Sequence, residues 1–325
     1  MSKRRILVTG ASGFLGSRIC EYYKDSHIIL APKHKDMDIT DEESVHKAFL
    51  TAAPDVVIHC AAISDTGSCE KNPEFSRKIN VTGSENIAKA SRMAEAKCLM
   101  CSSDQVYFGS TGTGAHTEDE KLDSVNTYGR QKLYAEQSCL DINPDCVMLR
   151  LTWMYDPVSE NPGEHGDFIR TLLANLREGR ELSYPVHDMR GITYVRKVVE
   201  NLEPAAALPG GIYNFGSEND SSTYDTVRKT LRRLSEELPS LYPSTHDRTG
   251  IRQTDLLSCA LQNLTRNEDA FRTNPRNIRI CTEKIRNRGI LFPSTVEGLV
   301  QQLLCCIPLR SRSVCLQKTP RTADV

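Results

Sequence analysis

Residues 8–16 read VTGASGFLG, and the position of this stretch decides the fold. It follows the apolar run RILV (5–8) and precedes the amphipathic stretch SRICEYYKD (17–25). Its glycines recur at every third position, as G-x-x-G-x-x-G, which allows a tight turn and a close approach of the backbone to a ligand. A pyrophosphate bound there would meet the N-terminus of the following helix. The stretch therefore predicts nucleotide binding, and a plain strand–helix turn is the alternative.

The first half of the chain continues this alternation of short β-like runs and amphipathic stretches. The β-like runs are RILV (5–8), HIILA (27–31), DVVIHCAA (55–62), CLMCSS (98–103) and CVMLRLTW (146–153). The helix-like stretches are SRICEYYKD (17–25), EESVHKAFLTA (42–52), SRKINVTGSENIAKASRMAE (76–95) and the segment that opens at NTYGRQK (126–132). Alternation at this spacing predicts an α/β fold, with a parallel sheet and helices on both faces.

The second half is broken by Pro, Gly and charged residues and predicts a smaller lobe of mixed α/β structure. FIRTLLANLREG (168–179) and DTVRKTLRRLSEEL (225–238) have helical periodicity, and GGIYNFGS (210–217) has the pattern of a strand between turns. We therefore expect a first domain over residues 1–155 and a second lobe mainly over 156–307, with segments returning to the first domain. A disordered tail is expected over 308–325.

Composition excludes several classes of protein. The chain has 325 residues, of which 39% are hydrophobic and 26% charged, as in soluble globular proteins. A formal net charge of -1 gives no overall attraction to nucleic acid or to an anionic membrane. The apolar runs are too short to span a bilayer, and the N-terminus lacks the apolar region of a signal peptide. We expect a cytoplasmic protein without nucleic-acid or membrane partners.

The 12 cysteines are spread along the chain, so in a reducing cytosol they would be free thiols. Cys98 and Cys101 form a C-x-x-C sequence, but it falls in a β-like run, where positions three apart point to opposite faces. This geometry disfavours both a redox pair and a metal site. Because no other His or Cys cluster has zinc spacing, no metal is expected.

The residues after the second β-like run bear on which nucleotide is bound. An acidic residue near this point commonly holds the ribose 2′-hydroxyl of NAD. Here APKHKDMD (31–38) instead places Lys33 in a basic run, and the positive charge of this run could bind the 2′-phosphate of NADP. Asp36 or Asp38 could still serve NAD, and a solvated basic turn is the other interpretation. The pattern favours NADP slightly and leaves NAD open.

NTYGRQKLYAE (126–136) places Tyr128 and Lys132 four positions apart on one face of a helix-like stretch. Such pairs also occur by chance, so this pair alone decides nothing. Upstream, CSSDQVY (101–107) brings Ser103 to the end of a β-like run, where a hydroxyl that caps a turn is the plainer interpretation.

The glycine turn, CSSDQVY and TYGRQK, in this order, resemble the extended short-chain dehydrogenase/reductase superfamily, whose catalytic elements are a Ser or Thr and a Tyr-x-x-x-Lys. The resemblance covers roughly residues 4–300 and points to one branch, the dTDP-4-dehydrorhamnose reductase (sugar-nucleotide reductase) family. Besides CSSDQVY, it is carried by MDITDEESV (37–45), PDVVIHCAA (54–62), HTEDEKLDSVNTYGRQKLYAE (116–136), LRLTWMYD (149–156), RGITYV (190–195), GGIYNFGS (210–217) and PRNIRICTEKIRNRGILFP (275–293). It implies a Rossmann-type doubly wound parallel sheet with a smaller substrate-binding lobe.

The resemblance assigns catalysis to Ser103, Tyr128 and Lys132. Hydride delivered to a ketone leaves an alkoxide that must be protonated, and a free tyrosine, with a pKa of about 10, gives up its proton poorly near neutrality. A nearby ammonium would lower that pKa toward the operating pH. Ser103 would hydrogen-bond the carbonyl oxygen, and Lys132 would also hold the nicotinamide ribose.

The same resemblance implies a cofactor site and a substrate site. The cofactor residues are Gly10, Ser12, Gly13, Phe14, Leu15 and Gly16 at the pyrophosphate, Lys33, Asp38 and Ile39 near the adenosine, Ala61 and Ala62 beside the ribose and nicotinamide, and Asn80, Ser102, Tyr128 and Lys132. The substrate residues are Asp104, Gln105 and Trp153. Asn80 could equally be a buried structural residue, and Trp153 a core residue. Gln105 departs from a frequent aromatic of the rhamnose-pathway enzymes, which leaves the identity of the sugar open.

These observations predict an NAD(P)H-dependent reductase of a nucleotide-linked 4-keto-6-deoxy sugar, with the hydride from the nicotinamide and the proton from Tyr128. One alternative is a nucleotide-sugar epimerase or dehydratase on the same fold, although Gln105 stands where a dehydratase would want a Glu. Another is a non-catalytic, NADP-binding regulatory subunit of a methionine adenosyltransferase. Dimers are common in the superfamily, which leaves a homodimer open, but the sequence specifies no interface.

Overall fold

The computed structural model describes residues 3–157, 167–241 and 253–316. The strands are β1 (Arg5–Thr9), β2 (Ile28–Leu30), β3 (Val56–His59), β4 (Lys97–Ser103), β5 (Val147–Leu151), β6 (Trp153–Tyr155), β7 (Leu182–Pro185), β8 (Asp188–Arg190), β9 (Ile192–Tyr194), β10 (Gly211–Phe215), β11 (Leu264–Asn267) and β12 (Arg276–Ile278). The α-helices are α1 (Phe14–Tyr23), α2 (Glu42–Ala52), α3 (Thr66–Lys71), α4 (Pro73–Arg77), α5 (Ser84–Met93), α6 (Thr127–Ile142), α7 (Phe168–Glu178), α8 (Val195–Ala205), α9 (Thr223–Leu241), α10 (Gln253–Gln262), α11 (Glu283–Arg286) and α12 (Thr295–Leu316). A π-helical turn (Lys78–Gly83) leads into α5, and a 3-10 turn (Asp104–Tyr107) follows β4.

Six parallel strands form the central sheet, in the order β10-β5-β4-β3-β1-β2. In the middle of the sheet, Val8 of β1 lies beside Ile58 of β3, which lies beside Leu99 of β4. At one edge of the sheet, β10 pairs with β5; among the six strands, β10 is the one that comes from the second half of the chain. The predicted α/β fold with a parallel sheet is confirmed.

Both faces of the sheet bury apolar side chains, because alternate residues of a strand point to opposite sides. Val8 and Leu99 pack on the face covered by α1 and α8. Leu7 and Met100 pack on the other face, under α2, α5 and α6. Each fully buried aliphatic side chain contributes about 1.5–3 kcal/mol, so these two cores stabilise the sheet on both faces.

The predicted helix over 76–95 is divided in the structure into the end of α4, the π-helical turn and α5. Within the turn, a Cβ on Gly83 would come within 2.8 Å of the side chain of Ile39. Asn80, in the same turn, uses its side chain to bond the loop after β3. These are contacts with residues far along the chain, so local periodicity does not report them.

The chain forms two compact units. The first combines residues 1–154, 189–220 and 274–292 and contains the central sheet. The second combines residues 155–188, 221–273 and 293–325. Within the second unit, β7 pairs in parallel with β11, and the apolar face of α9 is buried.

Helix α12 extends to Leu316 and so includes the first part of the segment expected to be disordered; residues 317–325 lie outside the described ranges, where disorder stays a prediction. The strand expected over 146–153 is divided at Thr152 into β5 and β6. Within the described ranges, no helix combines the length and the apolar character that crossing a membrane requires.

Candidate active site

The glycine turn packs its backbone against the end of β3. Gly10 has a φ of +65°, and a Cβ there would come within 2.7 Å of the Ala61 nitrogen, so glycine is required. The Gly13 amide donates to the Gly10 carbonyl (2.9 Å), and a Cβ on Gly16 would overlap that same carbonyl. Helix α1 begins directly after Gly13, and because glycine has no side chain, no N-cap side chain bonds the first amides of α1. The turn and the first amides of α1 therefore fit the pyrophosphate of a dinucleotide.

The other predicted residues of this turn differ in what they can contact. Ser12 is exposed, whereas Leu15 is buried in the core, so the Leu15 side chain supports the turn by packing and does not line the pyrophosphate. Phe14 is half-buried, and the Arg18 guanidinium stacks on its ring at 4.2 Å. Arg18 also donates to the Phe14 carbonyl (2.9 Å). This cation beside the turn lies outside the glycine motif, and no sequence pattern singled it out.

The turn after β2 holds the residues predicted near the adenosine. Lys33 is exposed. The Asp38 carboxylate accepts bonds from the amide (2.9 Å) and hydroxyl (2.8 Å) of Thr40, and the amide bond is the main reason that the pKa of Asp38 is lowered. Ile39 is buried against Gly83. The ionised Asp38 carboxylate therefore holds this loop in place, and the Lys33 side chain is exposed to solvent.

A buried polar chain lies behind Ala61 and Ala62, which follow β3. The Ala61 amide donates to the Thr9 hydroxyl (3.2 Å), which bonds His59 Nδ1 (2.7 Å). His59 Nε2 in turn bonds the Ser84 hydroxyl (3.1 Å). Burial lowers the pKa of His59 to about 3, so its ring is neutral at pH 7. These hydrogen bonds hold the loop that faces the glycine turn. In the sequence, Thr9, His59 and Ser84 look like ordinary strand and helix residues.

Ser103, Tyr128 and Lys132 come together at the carboxyl edge of the sheet. Ser103 ends β4; its hydroxyl donates to Asp104 Oδ1 (3.3 Å), accepts from the Gln105 amide (3.2 Å) and lies close enough to the Tyr128 phenol to lower its pKa. Tyr128 and Lys132 lie one turn apart on α6, with Lys132 Nζ 5.7 Å from the centre of the Tyr128 ring. Lys132 Nζ donates to the Cys101 carbonyl (2.8 Å), and all three side chains are buried. The structure thus brings the three side chains into one group.

Burial governs the charges of this group. It raises the pKa of Tyr128, and the hydrogen bond with Ser103 opposes this only in part. Burial also lowers the pKa of Lys132. Burial therefore outweighs the lowering expected from the nearby ammonium, which donates to the Cys101 carbonyl, and the pKa of Tyr128 is raised. The phenol stays protonated near neutrality, which is the form that can donate a proton.

The first turn of α6 is fixed by three contacts. Asn126 Oδ1 accepts from the Gly129 amide (2.6 Å) and so caps the helix. Asn126 Nδ2 donates to Gln105 Oε1 (2.9 Å), so this predicted substrate residue uses its carboxamide oxygen inside the protein. Glu70 accepts from both the amide (2.6 Å) and the hydroxyl (2.8 Å) of Thr127. Together these bonds set the direction of the phenol on that turn.

Asn80 is fully buried and connects the loop after β3 to α6. Its Oδ1 accepts from the Ile63 amide (2.8 Å), and its Nδ2 donates to the Ile63 carbonyl (3.0 Å) and to Gln131 Oε1 (2.9 Å). Gln131 Nε2 in turn donates to the Ser76 hydroxyl (2.9 Å). Because its carboxamide is engaged within the protein, Asn80 acts as a positioning residue for α6.

Ser102 directs its hydroxyl away from the group formed by its neighbour. It donates to Glu136 Oε1 (2.5 Å), and Glu136 forms a bidentate ion pair with Arg150, with N–O distances of 2.9 and 2.7 Å. Arg150 also donates to the Tyr107 hydroxyl (2.7 Å), which donates to Asn214 Oδ1 (2.7 Å). This buried network ties β4 to α6, β5 and β10. The Ser102 hydroxyl therefore belongs to this network, and the cofactor contact of Ser102 stays a prediction.

Two of the predicted substrate residues surround a cation. Arg190 Nη2 lies 3.7 Å from Asp104 Oδ2, and its guanidinium stacks on the Trp153 indole at 4.6 Å. Asp104 is buried, whereas Trp153 is 38% exposed. Trp153 is thus partly exposed and not a core residue. Arg190 belongs to the stretch RGITYV, but only the three-dimensional structure places it against Asp104 and Trp153.

Comparison with known proteins gives the family. The family model described as RmlD substrate binding domain matches residues 4–279. The dTDP-4-dehydrorhamnose reductase of Mycolicibacterium smegmatis is 30% identical over 249 residues, which cover 75% of this chain and 74% of that protein. The methionine adenosyltransferase 2 subunit beta of Rattus norvegicus is 31% identical over 165 residues, 48% of this chain and 49% of that protein.

A solved structure shares the fold. The dTDP-4-dehydrorhamnose reductase of Bacillus anthracis, crystallised in complex with NADP, matches with a TM-score of 0.71 at 22% identity, over 93% of this chain and 98% of that chain. The predicted Rossmann-type architecture is thereby confirmed. On the match to the family model over most of its length, the chain belongs to the RmlD substrate-binding domain family.

Proposed function

We propose that this protein is an NAD(P)H-dependent reductase of a nucleotide-linked 4-keto-6-deoxy sugar. The observation that carries the proposal is the grouping of the buried Ser103, Tyr128 and Lys132 side chains at the carboxyl edge of the sheet. The glycine turn lies at the same edge, packed on the residue that follows β3. In open α/β sheets, ligands bind outside the carboxyl ends of the strands, so the glycine turn and the phenol serve one ligand region.

The chemistry divides between the cofactor and the chain. When bound, the nicotinamide dinucleotide supplies the hydride that reduces the ketone. The glycine turn and the N-terminus of α1 hold its pyrophosphate. Ser103 donates a hydrogen bond to the carbonyl oxygen of the substrate and positions it. Tyr128, protonated because it is buried, gives its proton to the same oxygen, and Lys132 stabilises the resulting phenolate.

The relatives support the class of substrate and cofactor. The protein from Mycolicibacterium smegmatis is named for dTDP-4-dehydrorhamnose, and the structure from Bacillus anthracis, of the same name, contains NADP. By analogy with these relatives, we propose a dTDP-linked sugar as the leading substrate of this chain and NADPH as its favoured cofactor. The exposed charge of Lys33 after β2 supports NADPH, because a 2′-phosphate would meet a cation there. NADH is the alternative.

The test follows the loss of NADPH absorbance when dTDP-4-dehydrorhamnose, or another nucleotide-linked 4-keto-6-deoxy sugar, is added to the purified chain. NADH measured side by side gives the cofactor preference. We expect turnover by the wild type and its loss in Tyr128→Phe, which keeps the ring and removes the proton donor. If the wild type turns over none of these sugars and Tyr128→Phe behaves identically, the reductase proposal is wrong.

One comparison favours a second function, that of an NADP-binding regulatory subunit. The rat relative at 31% identity is named as a subunit of a methionine adenosyltransferase. Dinucleotide binding without turnover, together with co-elution with a methionine adenosyltransferase catalytic subunit, would favour this function. A dehydratase is disfavoured, because Gln105 stands where that chemistry wants a carboxylate and its Oε1 accepts a bond from Asn126.

A further inference from the structure

Cys60 and Cys101 form a thiol pair that the sequence does not reveal. The two residues are 41 positions apart, but β3 and β4 are adjacent and parallel, with His59 beside Met100. One residue further along this register, Cys60 lies opposite Cys101, and their sulfur atoms are 3.6 Å apart. Both side chains pack on the face of the sheet that α1 and α8 cover, and both are partly exposed.

This spacing suits a disulfide. Neighbouring strands lie about 4.8 Å apart, within the range of about 4.4–6.8 Å that separates the Cα atoms of bonded cysteines. Bond formation brings the sulfurs from 3.6 Å to about 2.05 Å, which requires a small movement of the two strand ends. Cys98, the other member of the C-x-x-C sequence, packs in the core on the opposite face and is no partner for Cys101.

The two thiols are chemically unequal. The hydrogen bond with Cys60 lowers the pKa of Cys101, and the Lys132 ammonium adds to this effect against the opposing effect of burial. The same hydrogen bond, with burial, raises the pKa of Cys60. Since the thiolate is the reactive form and the Lys132 ammonium bonds the Cys101 carbonyl (2.8 Å), Cys101 is assigned as the nucleophile of the pair and Cys60 as the thiol that resolves it.

Each cysteine backbone supports one part of the dinucleotide site. The Cys101 carbonyl accepts the bond from Lys132 Nζ (2.8 Å). The peptide between Cys60 and Ala61 is the surface on which Gly10 packs, since a Cβ on Gly10 would lie 2.9 Å from the Cys60 carbonyl carbon. A movement of either strand end therefore displaces the lysine or the glycine turn.

We propose that Cys60 and Cys101 form a reversible disulfide and that its formation weakens dinucleotide binding; the second statement rests on the proposed function. With hydrogen peroxide as the oxidant, the Cys101 thiolate attacks one peroxide oxygen, the O–O bond breaks, and the other oxygen leaves as water after taking a proton. The Cys60 sulfur then attacks the resulting sulfenic acid, the S–S bond forms and a second water leaves. Two electrons pass from the thiols to the peroxide, and a dithiol reductant reverses the reaction.

In the test, the full chain is treated with hydrogen peroxide and the remaining thiols are blocked with N-ethylmaleimide. The peptides are then prepared without a reductant and mapped by mass spectrometry. We expect a peptide pair linked through Cys60 and Cys101 that dithiothreitol separates. In parallel, fluorescence titration gives the NADPH dissociation constant, which we expect oxidation to raise about tenfold, the equivalent of about 1.4 kcal/mol. Cys60→Ser, compared with itself before and after oxidation, should show neither the linked peptide nor the change in dissociation constant. Cys20→Ser, which removes a neighbouring partly buried thiol, should retain both.

Each outcome decides a stated part of the proposal. If oxidised wild type lacks the linked peptide, or if oxidised Cys60→Ser loses the same affinity, the proposal is overturned. A linked peptide with an unchanged dissociation constant overturns the effect on binding. If reduced wild type binds neither NADPH nor NADH, the proposed function fails, while the linked peptide still decides whether the disulfide forms.

Discussion

Ser102 and Ser103 are adjacent on β4 but serve different partners: the Ser102 hydroxyl donates to Glu136 Oε1 at 2.5 Å, and the Ser103 hydroxyl accepts from the Gln105 amide at 3.2 Å and lies beside the Tyr128 phenol. Adjacent residues of a strand point to opposite faces, so one serine enters a buried ion-pair network while the other reaches the carboxyl edge of the sheet. The pair is therefore a matched test of which hydroxyl takes part in the proposed chemistry.

Ser103→Ala should lower kcat for ketone reduction by about 10²-fold, because it removes a donor to the oxygen on which charge develops. Steady-state kinetics with the ketone substrate measure this effect. Ser102→Ala is the control, with kcat within about twofold of wild type and a loss of stability of about 1–3 kcal/mol. Equal losses of kcat in the two variants would contradict the assignment.

Glu136→Gln should be strongly destabilising. The variant leaves the Arg150 guanidinium buried without its anion, and breaking such a pair costs about 3–5 kcal/mol. Urea denaturation at neutral pH measures the difference. The control is Glu42→Gln, which breaks an exposed pair with Lys89 (2.9 Å) and should change stability by less than about 1 kcal/mol. If both variants unfold at the same urea concentration, the buried network has no special role.

Gly10→Ala should destabilise the protein and prevent dinucleotide binding. A non-glycine residue at a φ of +65° costs about 1–2 kcal/mol, and its Cβ would also overlap the Ala61 nitrogen. We therefore expect a loss of at least about 2 kcal/mol in urea denaturation and no NADPH binding in a fluorescence titration. Gly114→Ala, where a Cβ would meet no atom within 4 Å, should resemble the wild type in both measurements. An intact NADPH affinity in Gly10→Ala would contradict the proposed role of the turn.

Features that repeat or cluster along the chain could be predicted from the sequence. Apolar periodicity located α2 at its observed bounds, and the strands of the first half begin and end within a few residues of their predicted positions. The three residues of the group around Tyr128 stand in short motifs, and the structure brings their side chains together. Parallel strands with alternating helices leave few ways to arrange those motifs, which is why order along the chain was informative.

Contacts between distant segments could not be predicted. No pattern in one sequence states that Cys60 lies opposite Cys101, or that Arg190 stacks on Trp153, because each contact depends on which strands and loops are neighbours. The raised pKa of Tyr128 has a related cause. Burial is a property of the whole fold, and it outweighs the effect expected from a lysine one helical turn away.

His59→Gln should change how stability depends on pH. The folded-state pKa of His59, about 3, lies below the unfolded value of about 6.5, so below about pH 6.5 the unfolded state binds the extra proton. This group therefore contributes stability that is complete above about pH 6.5 and falls by about 1.4 kcal/mol per pH unit as the pH decreases toward 3. Between about pH 7.5 and about pH 5, the wild type should lose about 2 kcal/mol through His59 alone.

The measurement is urea denaturation of wild type and His59→Gln at both pH values. At the higher pH the variant should be less stable by about 1–3 kcal/mol, because the bonds to Thr9 and Ser84 are disturbed. On acidification it should lose about 2 kcal/mol less than the wild type does. His46→Gln, on the exposed face of α2, should keep the wild-type pH dependence. Parallel pH profiles for wild type and His59→Gln would mean that the buried ring does not stay neutral in the folded protein.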